Sequence, residues 1–179
     1  MNVTKKRAVF FDRDGVILKA IVMDGRPRPA HSIAEYQALS GVIPGAKEAV
    51  AAAKAGGFLA ILVSNQPDMA YGVISKEEWQ WIQNQTKDMP FDDVFICFHR
   101  RDDNCDCMKP KAGLFFQAAE KWNIDLSKSF LVGDTKDDIA AAKNAGCKSI
   151  LIEASYNASL TADSRLAFLT QFAETLSRN

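Results

Sequence analysis

Short apolar runs alternate with amphipathic stretches along most of this 179-residue chain. The apolar runs at 8–12, 58–64, 94–98, 130–133 and 149–152 are rich in β-forming residues, which predicts buried strands. Helical spacing of apolar residues predicts helices that begin after Pro44 and Ser75 and that cover 112–122, 137–144 and 166–176. This alternation predicts an α/β fold with a Rossmann-like, doubly wound parallel sheet.

Local signals between these runs refine the pattern. Ser75 and Glu78 have the spacing of a capping box, which favours a helix that starts there. Segment 18–41 contains Gly25, Pro27 and Pro29 and is predicted to be irregular. The length of the chain is typical of one folded unit, so we expect a single domain over residues 1–179.

The charge balance narrows the range of partners. Twenty-two basic and twenty-two acidic residues cancel, and no basic stripe indicates nucleic-acid binding. The apolar run that follows the basic N-terminal residues and ends at Asp12 is too short for a signal peptide or a membrane span. We therefore expect a cytoplasmic protein that binds neither nucleic acid nor membranes. Its four cysteines are then thiols or metal ligands rather than disulfides.

Polar residues stand at the ends of three predicted strands. Asp12, Ser64 and Asp134 each come where an apolar run stops. In open parallel sheets, ligands bind outside the carboxyl ends of the strands. We therefore expect these three residues to meet at one edge of the sheet.

The sequence Asp12-Arg-Asp14-Gly15 carries the strongest chemical signal. Gly15 permits a tight turn, so two carboxylates come close together. Such a pair suits nucleophilic attack by Asp12 and proton transfer by Asp14. A divalent cation would relieve the repulsion between them, and magnesium suits an all-oxygen site. A solvated surface turn is the alternative interpretation of these residues alone.

Four motifs in this order resemble those of the haloacid dehalogenase superfamily of phosphatases. They are Asp12-Arg-Asp14-Gly15-Val16, Ser64-Asn65-Gln66, Lys109-Pro110 and Gly133-Asp134 with Asp138. The resemblance covers about residues 7–153 and implies a covalent nucleophile, Asp12, and a general acid and base, Asp14. It also implies Mg²⁺ bound by Asp12, Asp134 and the backbone carbonyl of Asp14. Ser64, Asn65 and Lys109 would then bind the phosphoryl group, and Asp138 would hold the site by hydrogen bonds from outside the ligand shell.

Three cysteines and one histidine form a second candidate site at Cys97, His99, Cys105 and Cys107. Two close pairs separated by a short loop predict a closed tetrahedral Cys₃His zinc site. A disulfide between Cys105 and Cys107 would close a tight, strained ring, and chance proximity is the remaining alternative. A zinc ion in the loop 97–107 would hold Lys109 beside the active site.

The string of zinc ligands followed by Lys-Pro resembles one capless subgroup of the superfamily. That subgroup contains heptose 1,7-bisphosphate phosphatases and histidinol-phosphate phosphatases. The resemblance implies a monomer with an open site for a small phosphorylated metabolite, such as D-glycero-D-manno-heptose 1,7-bisphosphate. Histidinol phosphate is an alternative substrate, since only five residues separate His99 from Cys105. A non-catalytic, zinc-stabilised binding module is the alternative from a different class.

Two positions depart from the subgroup. Met108 and Tyr71 stand where it usually has arginines near the substrate. We predict that Arg100 and Arg101 of the zinc loop supply the missing charge, with Arg26 and Arg28 as the alternative pair. Elsewhere, Trp79 is predicted to pack and His31 to lie on the surface. The Asn-Ala-Ser pattern at Asn157 is assigned no role.

Overall fold

The computed structural model describes residues 4–178 of the chain. Its strands are β1 (Arg7–Phe11), β2 (Ile21–Met23), β3 (Arg26–Arg28), β4 (Phe58–Asn65), β5 (Asp93–Cys97), β6 (Phe130–Gly133), β7 (Lys148–Ile152) and β8 (Ser164–Leu166). Its α-helices are α1 (Ile33–Leu39), α2 (Ala46–Ala55), α3 (Lys76–Gln83), α4 (Gly113–Trp122), α5 (Lys136–Ala145) and α6 (Phe172–Arg178).

Six parallel strands form the main sheet in the order β5-β4-β1-β6-β7-β8. Strand β1 lies at the centre, with β4 on one side and β6 on the other. The chain therefore reverses the direction in which it adds strands at β1, which makes this the switch point where ligands bind in such sheets. The predicted α/β fold with a parallel sheet is confirmed.

The side chains of β1 divide the core into two layers. Val9 and Phe11 belong to an apolar cluster that includes residues of α2, α3 and α6. Ala8 and Phe10 belong to a second cluster with residues of α4 and α5. Successive side chains of a strand point to opposite faces, so both faces of the sheet are covered. This explains why β1 is a continuous apolar run rather than an alternating one.

The prediction that segment 18–41 is irregular is wrong. Strands β2 and β3 form an antiparallel hairpin. Its turn residues Asp24 and Gly25 both have positive φ, +50° and +71°, as in the turns that match the twist of hairpin strands. Helix α1 then begins after Ser32, whose hydroxyl accepts the backbone N–H of Glu35. The Asp-Gly turn and this N-cap outweigh the prolines that indicated a loop.

The prediction of one closing helix over 166–176 is also wrong. Leu166 pairs with Ile152 and is the last residue of β8, the sixth strand of the main sheet. A short 3₁₀ turn over Leu169–Gln171 follows, and α6 begins only at Phe172. Leu166, Leu169 and Phe172 are all buried. Their helical spacing therefore reflects separate contacts with the core rather than one helix face.

Within residues 4–178, the carboxyl edge of the sheet carries no large cap domain. In the described part of the chain, the intervals between strands of the main sheet hold the β2–β3 hairpin, helices α1 to α5, short turns and loops. None of the helices within residues 4–178 has the length and apolar character needed to cross a membrane.

Candidate active site

Three strands end at a cleft of about 370 Å³. Asp12 follows β1, Ser64 and Asn65 end β4, and Asp134 follows β6. All four line the cleft, because the carboxyl ends of these neighbouring strands lie side by side. The structure thus brings together the residues that the sequence placed at strand ends.

Three carboxylates at this edge form a compact cluster. Carboxylate oxygens of Asp12, Asp134 and Asp138 lie within 4.8 Å of one another, and these residues are 7%, 0% and 2% exposed. Two glycines allow this approach. A Cβ on Gly15 would lie 2.0 Å from Asp134 Oδ2, and a Cβ on Gly133 would lie 2.3 Å from Asp138 Cβ. Neither position accommodates a larger residue without displacing a carboxylate.

Lys109 lies between two of these carboxylates. Its Nζ is 2.7 Å from Asp12 Oδ1 and 2.6 Å from Asp138 Oδ1, and the residue is 4% exposed. Asn65 fixes the backbone of Lys109, because Asn65 Nδ2 donates to its carbonyl at 2.9 Å and Asn65 Oδ1 accepts its N–H at 3.0 Å. The side-chain amide of Asn65, expected at the phosphoryl group, is therefore engaged in positioning Lys109.

A separate network holds the carboxylate of Asp14. Arg13 donates from Nε and Nη2 at 3.0 and 3.2 Å, and Gln66 Nε2 donates to Asp14 Oδ2 at 2.7 Å. Gln66 Nε2 also donates to Ser64 Oγ at 2.9 Å. Gln66 Oε1 accepts the indole N–H of Trp79 at 3.1 Å. Trp79 is buried as predicted, and in addition it orients the glutamine that holds Asp14.

Burial and neighbouring charges shift the pKa values of the three clustered carboxylates in different directions. Burial raises the pKa of Asp12 to about 7, opposed by Lys109 and reinforced by the charges of Asp138 and Asp14. Burial and the charges of Asp138 and Asp12 likewise raise the pKa of Asp134 well above its usual value. Burial would also raise the pKa of Asp138, but the ion pair with Lys109 and the hydrogen bonds from Thr135 lower it. A divalent cation would favour the ionised forms of Asp12 and Asp134.

The loop after β7 supplies two residues that the sequence analysis missed. The Tyr156 hydroxyl donates to Asp134 Oδ2, and Asn157 Nδ2 donates to the Asp134 carbonyl at 2.7 Å. Asp134 Oδ1, by contrast, is buried and has no hydrogen-bond partner among the described residues. A buried carboxylate oxygen without a partner is costly, and magnesium takes oxygen ligands. The arrangement therefore fits a divalent cation bound by Asp12 and Asp134.

The second ligand cluster lies at the end of β5 and in the loop before α4. Cys97 Sγ is 3.7 Å from Cys105 Sγ and 3.1 Å from Cys107 Sγ, and His99 Nδ1 is 3.2 Å from Cys107 Sγ. A tetrahedral site with Zn–S bonds of about 2.3 Å has edges of about 3.8 Å. The four ligand atoms, all within 4.8 Å of one another, therefore fit a zinc ion.

The cysteines of this cluster are free thiols. Burial raises the pKa of Cys97 and of Cys107, and the neighbouring sulfurs raise that of Cys107 further. A cation would reverse this effect, because thiolate is the form that binds metal.

The two arginines of the zinc loop have different positions. Arg100 donates from Nε and Nη2 to the Ala70 carbonyl at 3.0 and 2.7 Å, which ties the zinc loop to the loop after β4. Arg101 lines the cleft, and its backbone N–H donates to the Tyr71 hydroxyl at 2.9 Å. The predicted pair thus separates into one arginine that joins two loops and one that faces the cleft.

Two other basic side chains of the cleft lie beside carboxylates. The guanidinium of Arg28 forms an ion pair with Glu35, and His31 Nε2 lies 3.3 Å from Asp68 Oδ2. His31 is therefore part of the cleft wall rather than an isolated surface residue. Arg26 lies on the hairpin and is not among the residues that line the cleft. Among the described cations that line it, Arg101 has no acidic partner.

The parallel sheet, the acidic motif after β1 and the lysine between two carboxylates define a hydrolase of the haloacid dehalogenase superfamily. A family model described as HAD-hydrolase-like matches residues 106–165. A D-glycero-beta-D-manno-heptose-1,7-bisphosphate 7-phosphatase of Vibrio cholerae is 38% identical over 154 residues, 79% of this chain and 77% of its own length. The counterpart in Haemophilus ducreyi is 34% identical, over 80% of this chain and 81% of its own length. This chain belongs to the family of heptose-1,7-bisphosphate 7-phosphatases, which are phosphoric monoester hydrolases.

Solved structures agree with this assignment. A D,D-heptose 1,7-bisphosphate phosphatase from B. bronchiseptica, complexed with magnesium and phosphate, superimposes with a TM-score of 0.78 at 26% identity. The match covers 96% of this chain and 98% of that one. A HAD-superfamily hydrolase from Geobacter sulfurreducens has a TM-score of 0.62 at 17% identity, covers 96% of both chains and shares the fold.

Proposed function

We propose that this chain is a Mg²⁺-dependent phosphomonoesterase that removes the C7 phosphate of D-glycero-D-manno-heptose 1,7-bisphosphate. One observation carries the proposal. Lys109 bridges Asp12 and Asp138, and Asp134 beside them has a buried oxygen with no hydrogen-bond partner among the described residues. A nucleophile, a fixed cation and a metal ligand thus share one cleft. Relatives that bear this activity in their names supply the substrate class.

Asp12 is the nucleophile in this proposal. Two hydrogen bonds hold its Oδ1, one from the backbone N–H of Arg13 at 2.8 Å and one from Lys109. Oδ2 is left for in-line attack on phosphorus, which forms an aspartyl phosphate as the bond from phosphorus to the sugar oxygen breaks. Lys109 and the hydroxyl of Ser64 stabilise the charge on the phosphoryl oxygens.

Asp14 transfers the protons. It protonates the leaving sugar oxygen and then accepts a proton from the water that hydrolyses the aspartyl phosphate. Arg13 and Gln66 hold its carboxylate by three hydrogen bonds. This support fixes the orientation of Asp14 relative to Asp12 through both steps.

The two cofactors have separate tasks. Mg²⁺ bound by Asp12, Asp134 and the backbone carbonyl of Asp14 would supply positive charge that offsets the phosphate and the buried carboxylates. Asp138 stays outside this ligand set, since Lys109 and Thr135 engage its two oxygens. Zinc bound by the Cys₃His cluster would be structural, because four protein ligands close its coordination shell.

The second phosphate of the substrate requires a further cation. Arg101 is suited to this role, because it lines the cleft and is not neutralised by a described acidic residue. Arg100 acts indirectly, by holding the zinc loop against the Ala70 carbonyl. The whole site comes from one chain, so a monomer suffices. The reducing cytoplasm is the compartment that preserves its thiolate ligands.

Phosphate release tests the proposal. The zinc-loaded protein is assayed with and without Mg²⁺ on both C1 anomers of the heptose bisphosphate, on histidinol phosphate and on sugar monophosphates. We expect Mg²⁺-dependent release of one phosphate per heptose bisphosphate and none from the Asp12→Asn variant. Both anomers are included because the relatives carry beta and alpha designations.

Two other outcomes would redirect the assignment. A preference for histidinol phosphate would keep the mechanism and replace the substrate. Release from no compound, in a protein that is folded and contains zinc, would contradict the proposal and favour a zinc-stabilised binding module.

A further inference from the structure

Segment 154–157, which follows β7, is fixed against the backbone of Asp134. Asn157 is fully buried. Its Nδ2 donates to the carbonyls of Ile152 and Asp134 at 2.9 and 2.7 Å, and its Oδ1 accepts the N–H of Ala154 at 3.0 Å. Both amide protons and the amide oxygen are therefore used. Tyr156 lies within this segment, so the buried side chain of Asn157 fixes its position.

The Tyr156 hydroxyl distinguishes the two oxygens of Asp134. It donates to Oδ2, which also lies against the backbone of Gly15, where a Cβ would come within 2.0 Å. Oδ1 is buried and has no described hydrogen-bond partner.

We propose that Tyr156 is a positioning residue that fixes Asp134 with Oδ1 presented to the metal, and that it thereby sets the affinity of the site for Mg²⁺. This inference rests on the proposed function. A hydrogen bond to Oδ2 opposes rotation of the carboxylate, so the ligand oxygen is ordered before the cation binds. Partners of this kind change metal affinity by about 10- to 100-fold when they are removed.

Isothermal titration of MgCl₂ into the zinc-loaded protein, without substrate, tests the inference directly. Tyr156→Phe removes one oxygen and keeps the ring, so the fold should be retained, which circular dichroism verifies. We expect the Mg²⁺ dissociation constant to rise about 10-fold. In the phosphate-release assay, the Mg²⁺ concentration for half-maximal rate should rise in parallel, while kcat at saturating Mg²⁺ stays close to that of the wild type.

Tyr71→Phe is the matched control, because it removes a tyrosine hydroxyl that lines the cleft and accepts the backbone N–H of Arg101, with no contact to Asp134 among the described hydrogen bonds. Its Mg²⁺ affinity should equal that of the wild type. Equal affinities for Tyr156→Phe and the wild type would overturn the inference, as would a lower kcat with unchanged affinity. A wild type that binds no Mg²⁺ at millimolar concentration would instead contradict the magnesium site of the proposed function, and the inference with it.

Discussion

The two ligand clusters of this chain are held in different ways. The carboxylates of Asp12, Asp134 and Asp138 are buried at strand ends, and residues outside the cluster, Lys109 and Tyr156 among them, donate hydrogen bonds to them. The Cys₃His ligands begin at the last residue of β5 and continue into a loop, and three of the four side chains are partly or fully exposed. Their sulfur and imidazole atoms lie against one another, while Cys97, Cys105 and Cys107 also pack against the apolar core.

The geometry of the carboxylate cluster should therefore depend mainly on the fold, whereas the conformation of the zinc loop should depend on a bound ion. The carboxylate cluster keeps its geometry through the sheet and through Lys109, so removal of the metal should cost activity and little structure. The thiol cluster packs against the core on one side but is more exposed, and its ligand atoms crowd one another, so loss of its metal ion should loosen the loop that leads to Lys109. The predictions below test this contrast, beginning with the largest expected effect.

Replacement of the nucleophile should abolish turnover and leave the fold intact. In Asp12→Asn the side chain keeps its shape but cannot form the aspartyl phosphate, so we expect kcat to fall by about 10⁴-fold or more. Phosphate release measures this effect. The melting temperature should stay the same or rise, because one of several buried negative charges has been removed.

Lys136→Ala is a suitable control for that substitution. Lys136 begins α5 near the site but does not line the cleft. The activity of the Lys136→Ala variant should therefore match that of the wild type. Activity in Asp12→Asn within about tenfold of the wild type would rule out the covalent mechanism.

Loss of a zinc ligand should damage the fold and the activity together. Cys105→Ser removes a thiolate from the loop, and we expect loss of bound zinc and a melting temperature lower by about 5 to 12 °C, the equivalent of about 3 kcal/mol. Activity should fall about tenfold, because Lys109 follows the cluster closely in sequence. Metal analysis and thermal unfolding are the measurements.

Cys147→Ala is the matched control for the zinc prediction. Cys147 is the fourth cysteine, and it is buried in the core outside the cluster. The Cys147→Ala variant should retain one zinc ion per chain even if the lost packing slightly lowers the stability of the fold. If Cys105→Ser kept its zinc, or lost it with no change in unfolding, the loop would not depend on the ion.

The strand-end site could be foreseen because it depends on local sequence. An apolar run followed by Asp12 or Asp134 fixes both the strand and the place of the carboxylate, and parallel order brings these ends together. The hairpin and the start of α1 also had local signals, in Asp24-Gly25 and in Ser32 with Glu35. They were outweighed in the prediction by nearby prolines.

The contribution of Tyr156 could not be foreseen in the same way. It lies in an irregular segment, and its partner Asp134 is 22 positions away in the chain, so only the packed structure pairs them. Asn157 stands in an Asn-Ala-Ser pattern that was assigned no role, and nothing in that pattern indicated its buried contact with the Asp134 carbonyl. The strand β8 was missed because Leu166 continues the spacing of the residues that follow it.

Arg101 connects the two clusters, since it lies in the zinc loop and faces the cleft. Arg101→Ala should raise KM for the heptose bisphosphate about tenfold, because one charge-assisted contact to the distal phosphate is lost. The effect on a sugar with a single phosphate should be smaller. Steady-state kinetics on both substrates measure the difference.

The hairpin arginine Arg26 provides the matched control, because it does not line the cleft. Arg26→Ala should leave KM unchanged for both substrates. An Arg101→Ala variant whose specificity constants equal those of the wild type on both substrates would remove this arginine from substrate recognition.

The smallest expected effect is the pH dependence of stability in Mg²⁺-free buffer. Burial raises the pKa of Asp12 from 3.8 to about 7, so the folded protein holds this proton more tightly than the unfolded chain. The resulting stabilisation is present below about pH 4 and is lost as the pH rises toward 7. The raised pKa of Asp134 acts in the same direction, whereas the lowered pKa of Asp138 acts only below about pH 4.

Thermal unfolding between pH 5 and 7.5 should therefore show a fall in melting temperature that Asp12→Asn reduces. Mg²⁺ should also reduce it, because a bound cation favours the ionised carboxylates that burial opposes. If the wild type and Asp12→Asn had the same pH slope, the charge of Asp12 would not be a source of strain in the folded state. In that case the charge of Asp12 would not destabilise the metal-free fold. The two clusters would then differ only in the hydrogen bonds that hold them.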